Sequence, residues 1–321
     1  MASLRQIRGR LRSISSTKQI MRAMQLVSAS KLKRSQARLM QTRAVLGFLD
    51  GLLARVLAAA PGLAHPTTRL ELPKAARLPP SGGRPIGGGR QALRATARWW
   101  DHPLATPREG SEVLVIFTSD AGLCGAYNTN LIQLAEAHLR RDTARQTDVM
   151  FIGKKGHRYF TKRGYQAVGS YLDLAGRTNL KKAEAIGRSL MERFLSGKAG
   201  SVRLLYSYFK SSAASRPTIL QWLPIQLPVT DHHGPAAEYI FEPSARRVFD
   251  DLLPRWALAT FTLVMLEAFT SEHSARMIAM KNATDNAEEI LKALTLQRNK
   301  TRQAAITREI SEIVGTTDAL R

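Results

Sequence analysis

Residues 3–59 contain no proline, and one seven-residue rhythm runs through them. Every seventh residue from Leu4 gives Leu4, Leu11, Lys18, Gln25, Leu32, Leu39, Leu46 and Leu53. The companion positions are Ile7, Ile14, Met21, Ser28, Ser35, Thr42, Leu49 and Val56. This heptad seam, apolar at both ends and polar or small in the middle, predicts a long helix that pairs with a second helix. Such a helix spans roughly 85 Å at about 1.5 Å per residue, more than a globular domain needs. Ser28 and Ser35 would let the second helix approach closely. A helix folded back on a bundle is the plainer alternative.

A second long helix is predicted over 255–314, roughly 90 Å at the same rise. Pro254 stands where a first helical turn tolerates proline. Gly315 follows Ile313-Val314 as a C-terminal stop. Ala283, Ala287, Ile290 and Leu294 form one apolar stripe, and Ile306, Ile310 and Ile313 another. The polar stretch QRNKTRQ (297–303) lies between them. The two helices suit an antiparallel coiled coil.

Between them, EVLVIFT (112–118), DVMFIG (148–153), QAVGSYL (166–172) and SVRLLYSYF (201–209) read as strands. Segments 129–141, 154–163 and 180–196 read as helices. That alternation predicts a mostly parallel sheet with helices on its faces. The expected fold is therefore α/β: a long antiparallel coiled coil of the N- and C-terminal helices, with a Rossmann-like α/β domain between them. The expected parts are a helix over 1–60, a linker or insertion over 61–110, the α/β domain over 111–245 and the second helix over 246–321. Residues 61–109 hold 8 Pro and 6 Gly and read as a flexible basic loop, with Trp99-Trp100 near its end.

Charge narrows the partners. The net charge is +23, and residues 1–60 carry 12 Lys/Arg against the single acid Asp50. Residues 255–321 are nearly balanced, 9 against 8. A basic first half implies an acidic partner: nucleic acid, anionic lipid or an acidic protein surface. The first helix has no aromatic residue before Phe48 to stack on single strands, though a helix in a major groove needs none. A basic coiled-coil nucleic-acid-binding protein is thus one reading. No apolar run reaches the length of a membrane span. The Arg- and Ser-rich, acid-free start resembles a transit peptide, but the pattern continues past residue 50, so it reads as mature protein.

The stretch FTSDAGLCGAYNTN (117–130) holds the only cysteine, Cys124, between an expected strand and an expected helix. Its GxxG is neither a dinucleotide fingerprint nor a P-loop, and no Lys or Arg lies between Ser119 and Asn130. A thiol nucleophile needs a base, and no histidine is near in sequence. Cys124 reads as a small buried residue in a tight turn, and Asp120 as a cap for backbone amides. The histidines form no metal-binding pattern, and a single cysteine excludes an internal disulfide. No cofactor, metal or catalytic residue is expected.

Three stretches resemble one family, the gamma subunits of F-type ATP synthases. IRGRLRSISSTKQIMRAMQLVSASKLKRSQ (7–36) is similar to the family's basic N-terminal helix. TSDAGLCGAYN is similar to its SDRGLCGGYN, with Ala121 in place of Arg and Ala126 in place of Gly. SEHSARMIAMKNATDNAEEILKALTLQRNKTRQAAITREISEIVG (271–315) is similar to its C-terminal signature. The segment 61–109 is longer than the family's usual connection.

The resemblance implies a central rotor shaft without a catalytic site of its own, one copy per complex. It would turn inside a hexamer of alpha and beta subunits, beside an epsilon subunit and on a membrane c-ring. It implies a peripheral place on the cytoplasmic face of a bacterial inner membrane, and no nucleic-acid partner. It also implies beta-subunit contacts at Lys31, Lys33, Arg34, Arg276, Arg302, Gln303 and Thr307, and c-ring contacts at Tyr239, Phe241 and Glu242. On this reading Cys124→Ala leaves ATP hydrolysis by the assembled complex largely intact. Complete loss of hydrolysis with normal assembly would instead point to a cysteine-dependent enzyme.

Overall fold

Ten elements follow one another in the computed structural model: α1 (Leu4–Ala58), β1 (Glu112–Phe117), α2 (Tyr127–Arg141), β2 (Thr147–Ile152), α3 (Lys154–Thr161), β3 (Ala167–Tyr171), α4 (Leu180–Leu195), β4 (Ser201–Ser211), β5 (Ala214–Leu223) and α5 (Ala245–Ala319). The structure describes residues 4–58, 102–141, 147–174, 180–212, 214–226 and 240–319. Most of the expected insertion lies outside them. The chain divides into two units, and both terminal helices contribute to each.

The larger unit, Lys33–Gly122 with Ala126–Glu272, holds the sheet. Its strand order is β3-β2-β1-β4-β5. Strands β3, β2, β1 and β4 run parallel, and β5 pairs antiparallel with β4. All six residues of β1 are buried, as a strand covered on both faces requires. Side chains alternate in the usual period of two. Val113, Val115 and Phe117 of β1 join Met150, Ile152, Leu204 and Tyr206 in one core with α4 and α5. On the other face, Phe151 stacks on Phe160 of α3.

Residues 249–269 of α5 are the backbone of that core. Phe249, Leu253, Ala257, Phe261, Val264 and Met265 are buried, and Phe261 packs on Phe117 and Trp222. Trp222 also donates its indole N–H to the carbonyl of Ala257. Gly187 lets α4 come close, since a Cβ there would stand 2.9 Å from Leu258. Part of α5 is apolar enough by composition to cross a membrane, yet 56% of that window is buried inside the protein. Its apolarity is spent on the sheet.

In the larger unit α1 runs antiparallel to α5. Ser35 meets Thr270, Arg43 meets Glu267 and Asp50 meets Trp256, in descending order. The expected seam faces inward: Ser35, Leu39, Leu46, Leu53 and Val56 are buried. In the smaller unit, Met1–Leu32 and His273–Arg321 join Leu123–Gly125. There Ile7, Ser28 and Leu32 of α1 are buried, as are Met280, Thr284 and Ala287 of α5. Lys18 bridges Glu288 at 3.0 Å. That bridge and the Lys292 charge hold the Glu288 carboxyl below its ordinary value, and as an exposed pair it contributes little stability.

Four expectations change. Helix α5 begins ten residues before the expected position, because the Ser244 hydroxyl accepts the Arg247 amide and caps it. Ion pairs Arg246–Asp250 and Arg247–Asp251 then support its first turns. Pro254 therefore lies inside the helix. Gly315 does not stop α5, which runs on to Ala319. Ile290, Ile306, Ile310 and Ile313 are exposed rather than buried in a seam. Strand β5 was not among the expected strands; its Pro217 is tolerated because β5 is an edge.

Helix α3 lies tight against β1 because of two glycines. A Cβ on Gly153, whose φ is 103°, would stand 2.0 Å from the Thr118 carbonyl oxygen, and one on Gly156 2.9 Å from the Thr118 side chain. Gly164 also has a positive φ, 86°, but opens on empty space. Gly153→Ala should therefore cost about 2–5 kcal/mol, strain and overlap together. Gly164→Ala should cost only about 1–2 kcal/mol, from strain alone. Denaturant unfolding of the two variants checks the ordering.

Candidate functional site

In a sheet of this order the chain reverses direction between β1 and β4, and ligands of such folds bind in the crevice beyond those strand ends. Two hydrogen bonds tie α5 to the neighbouring elements. The Tyr127 hydroxyl, at the start of α2, donates to the Ala268 carbonyl at 3.1 Å. The Ser271 hydroxyl donates to the Ser207 carbonyl of β4 at 2.9 Å.

The loop after β1 is engaged in structural bonds. The Asp120 carboxylate accepts the amides of Lys154, at the start of α3, and of Asp173. It caps backbone amides, as expected, and those include the first amide of α3. Ser119 and Asn128 close the loop through their side chains. Leu123 and Gly125 take positive φ values of 62° and 57°, which makes the turn tight. Cys124 is buried, and in the smaller unit Gly125 faces Ala279. Among the described residues, no group of three or more His, Cys, Asp and Glu side chains could hold a metal ion. Glu112, His138 and Arg203 form a buried charged cluster that ties α2 to the sheet.

The residues expected to touch partners fall at separate levels. In the smaller unit Lys31 is exposed, and Arg276 is buried with interactions of its own. Equal steps along both helices from the Lys18–Glu288 bridge put Lys31 near Arg276 and Leu4 near Arg302. Beyond that level α5 has no α1 residue opposite it among the described residues. This explains why Arg302, Gln303, Thr307 and the isoleucines at 306, 310 and 313 are exposed. The Thr307 hydroxyl donates to the Gln303 carbonyl one turn back. In the larger unit Lys33 and Arg34 are exposed. Phe241 packs partly on the core and Glu242 is exposed. Tyr239 lies outside the described residues. Ile240, 91% exposed, was not singled out from the sequence.

Sequence reading also missed a part-buried charged junction in the larger unit. Arg43 donates to Glu267 at 2.6 Å and to the Phe209 carbonyl at 3.0 Å. Its guanidinium lies 5.9 Å from the centre of the Tyr208 ring. The buried Tyr206 side chain lies close to Glu267, which is 3% exposed. Burial pushes the Glu267 carboxyl above its ordinary value, and Arg43 opposes that shift. Burial, with the Glu267 charge next, pushes the Tyr206 hydroxyl up as well. A sequence signal did exist: Glu267 is the only charged residue between Trp256 and Thr270.

Comparison with known proteins agrees with this geometry. The family model described as ATP synthase matches residues 3–320. The ATP synthase gamma chain of Symbiobacterium thermophilum is 38% identical over 318 residues, covering 98% of this chain and 97% of that one. The gamma chain of Desulforamulus reducens is 36% identical over 321 residues, covering all of both. These relatives are about as long as this chain, so the length of the 61–109 region does not set it apart from them. Among solved structures, a chain of the Euglena gracilis mitochondrial ATP synthase (OSCP/F1/c-ring, rotational state 3) aligns with TM-score 0.61 at 18% identity, over 99% of this chain and 94% of that one. A chain of the Tetrahymena thermophila mitochondrial ATP synthase central stalk and c-ring aligns with TM-score 0.51 at 20% identity, over 82% and 99%. At those identities the likeness speaks for the fold, while the full-length sequence relatives decide kinship: the chain belongs to the ATP synthase gamma chain family.

Proposed function

We propose that this chain works as the central rotor shaft of a membrane ATP synthase, carrying torque between a c-ring and the alpha/beta hexamer. The observation that carries this reading is the pair α1–α5. Each helix is far longer than the sheet needs, and among the described residues α5 past Arg302 carries an exposed, mixed polar and apolar surface. A shaft turning in a sleeve needs length, stiffness and a surface that is not uniformly apolar. The family kinship favours this reading over the nucleic-acid one, since the full-length relatives are gamma chains.

The chain itself does no chemistry on this reading. Helix α5 is bonded to β4 just beyond the end of β1, and Cys124 is buried in a turn. Catalysis belongs to the hexamer, and the shaft works by presenting it an asymmetric face. Lys31, Lys33 and Arg34 steer acidic beta-subunit loops, a role that favours orientation and attraction over tight affinity. Arg302, Gln303 and Thr307 touch the beta subunits from the bare end, and Arg276 contributes from its buried place. Phe241, Glu242 and Tyr239 rest on the c-ring loops, with Ile240 between them as an apolar contact. One copy serves each complex, beside an epsilon subunit, on the cytoplasmic face of a bacterial inner membrane. In functional terms 1–60 and 246–321 are the shaft, 111–245 the foot domain, and 61–110 an appended segment.

Co-purification with alpha and beta subunits is the first test; a chain that never associates with them is not a shaft. Arg302→Ala and Gln303→Ala should weaken assembly or ATP-driven ion pumping. Unchanged pumping in both variants would remove those contact roles while leaving the shaft in place.

A further inference from the structure

We propose that Arg43, Glu267 and Tyr206 form a registry lock that makes the sheet and both terminal helices of the larger unit turn as one body, an inference that rests on the shaft function. Three elements meet at Glu267. It lies on α5, accepts the Arg43 guanidinium at 2.6 Å, and is buried. Arg43 comes from α1 and also reaches the Phe209 carbonyl of β4. Tyr206 comes from β4 itself. The Arg43 guanidinium near the Tyr208 ring adds a fourth contact to the same strand.

Torque makes a demand that stability alone does not. Apolar burial is non-directional, so a helix that rolls or slides against a greasy face loses little until water enters. Charge-assisted hydrogen bonds have narrow distance and angle preferences, so they fix azimuth and axial position together. Any roll of α1 that withdraws Arg43 leaves the Glu267 carboxylate buried without its cation, an uncompensated charge. The Ser35–Thr270 and Ser271–Ser207 hydroxyl bonds, each 2.9 Å, extend the pinning along the same helices. Buried ion clusters add little net stability over an apolar filling of similar volume, and registry is their best-attested use. The buried Glu112–His138–Arg203 cluster ties only α2 to the sheet, so it does not have this role.

The test compares ATP hydrolysis with ATP-driven ion pumping in the same vesicle-reconstituted complexes. Arg43→Lys keeps the charge but loses the fork, and Glu267→Gln keeps the shape but loses the charge. The triple variant Arg43→Met/Glu267→Leu/Tyr206→Phe fills the site with apolar groups and serves as the stability-matched control. The lock predicts that assembled complexes of all three hydrolyse ATP while ions pumped per ATP fall several-fold. A melting temperature of the triple variant at or above the native one separates a lost lock from a loosened fold. An assembled triple variant that pumps as many ions per ATP as the native complex would overturn the lock and leave the shaft reading untouched. Absence of coupled pumping with the native chain would overturn the shaft reading, and the lock with it.

Discussion

Burial of α5 between Phe249 and Thr270 is the interaction on which the larger unit depends. That stretch supplies the core beneath the sheet, receives α4 at Gly187 and pairs with α1. Remove it, and Phe117, Trp222 and Tyr206 lose a common partner. Helix α5 is also bonded to α2 at Ala268 and to β4 at Ser271.

The same helix changes character along its length. Within the larger unit it is apolar and covered. In the smaller unit it meets α1 through small or polar residues such as Thr284, Ala287 and the Lys18–Glu288 bridge. Past Arg302 its isoleucines are bare. A greasy seam throughout would hold the helices tightly and adhere to any sleeve. A polar seam throughout would not hold them. The gradation suits a part anchored at one end and turning at the other.

Much of this was legible in the primary structure, for a physical reason. Every heptad position from Leu4 to Val56 is buried or half-buried, because period 3.5 depends only on local geometry and one apolar face. Strands β1, β2 and β4 were legible because their inner stretches are covered and their apolar runs are nearly continuous, whereas β3, an edge strand, is only partly covered. Strand β5 was hidden by Arg216 and Pro217, which an edge accepts and an isolated pattern does not reveal. The start of α5 was hidden because a proline drew attention from the Ser244 cap. Arg276 looked like a surface cation until packing buried it. The contact residues came from family likeness, since a charge on a helix carries no sign of what it will touch.

By itself, then, the sequence determined that two long helices pair and that a mostly parallel sheet lies between them. These depend on periodicity and residue chemistry, which are local. Only the tertiary structure decided that α5 is tied to α2 and β4 at Ala268 and Ser271, that its far isoleucines are exposed, and that Arg43 finds Glu267 across 224 residues of chain. Those depend on which faces meet, and a meeting between distant segments is set by burial and register rather than by either segment alone.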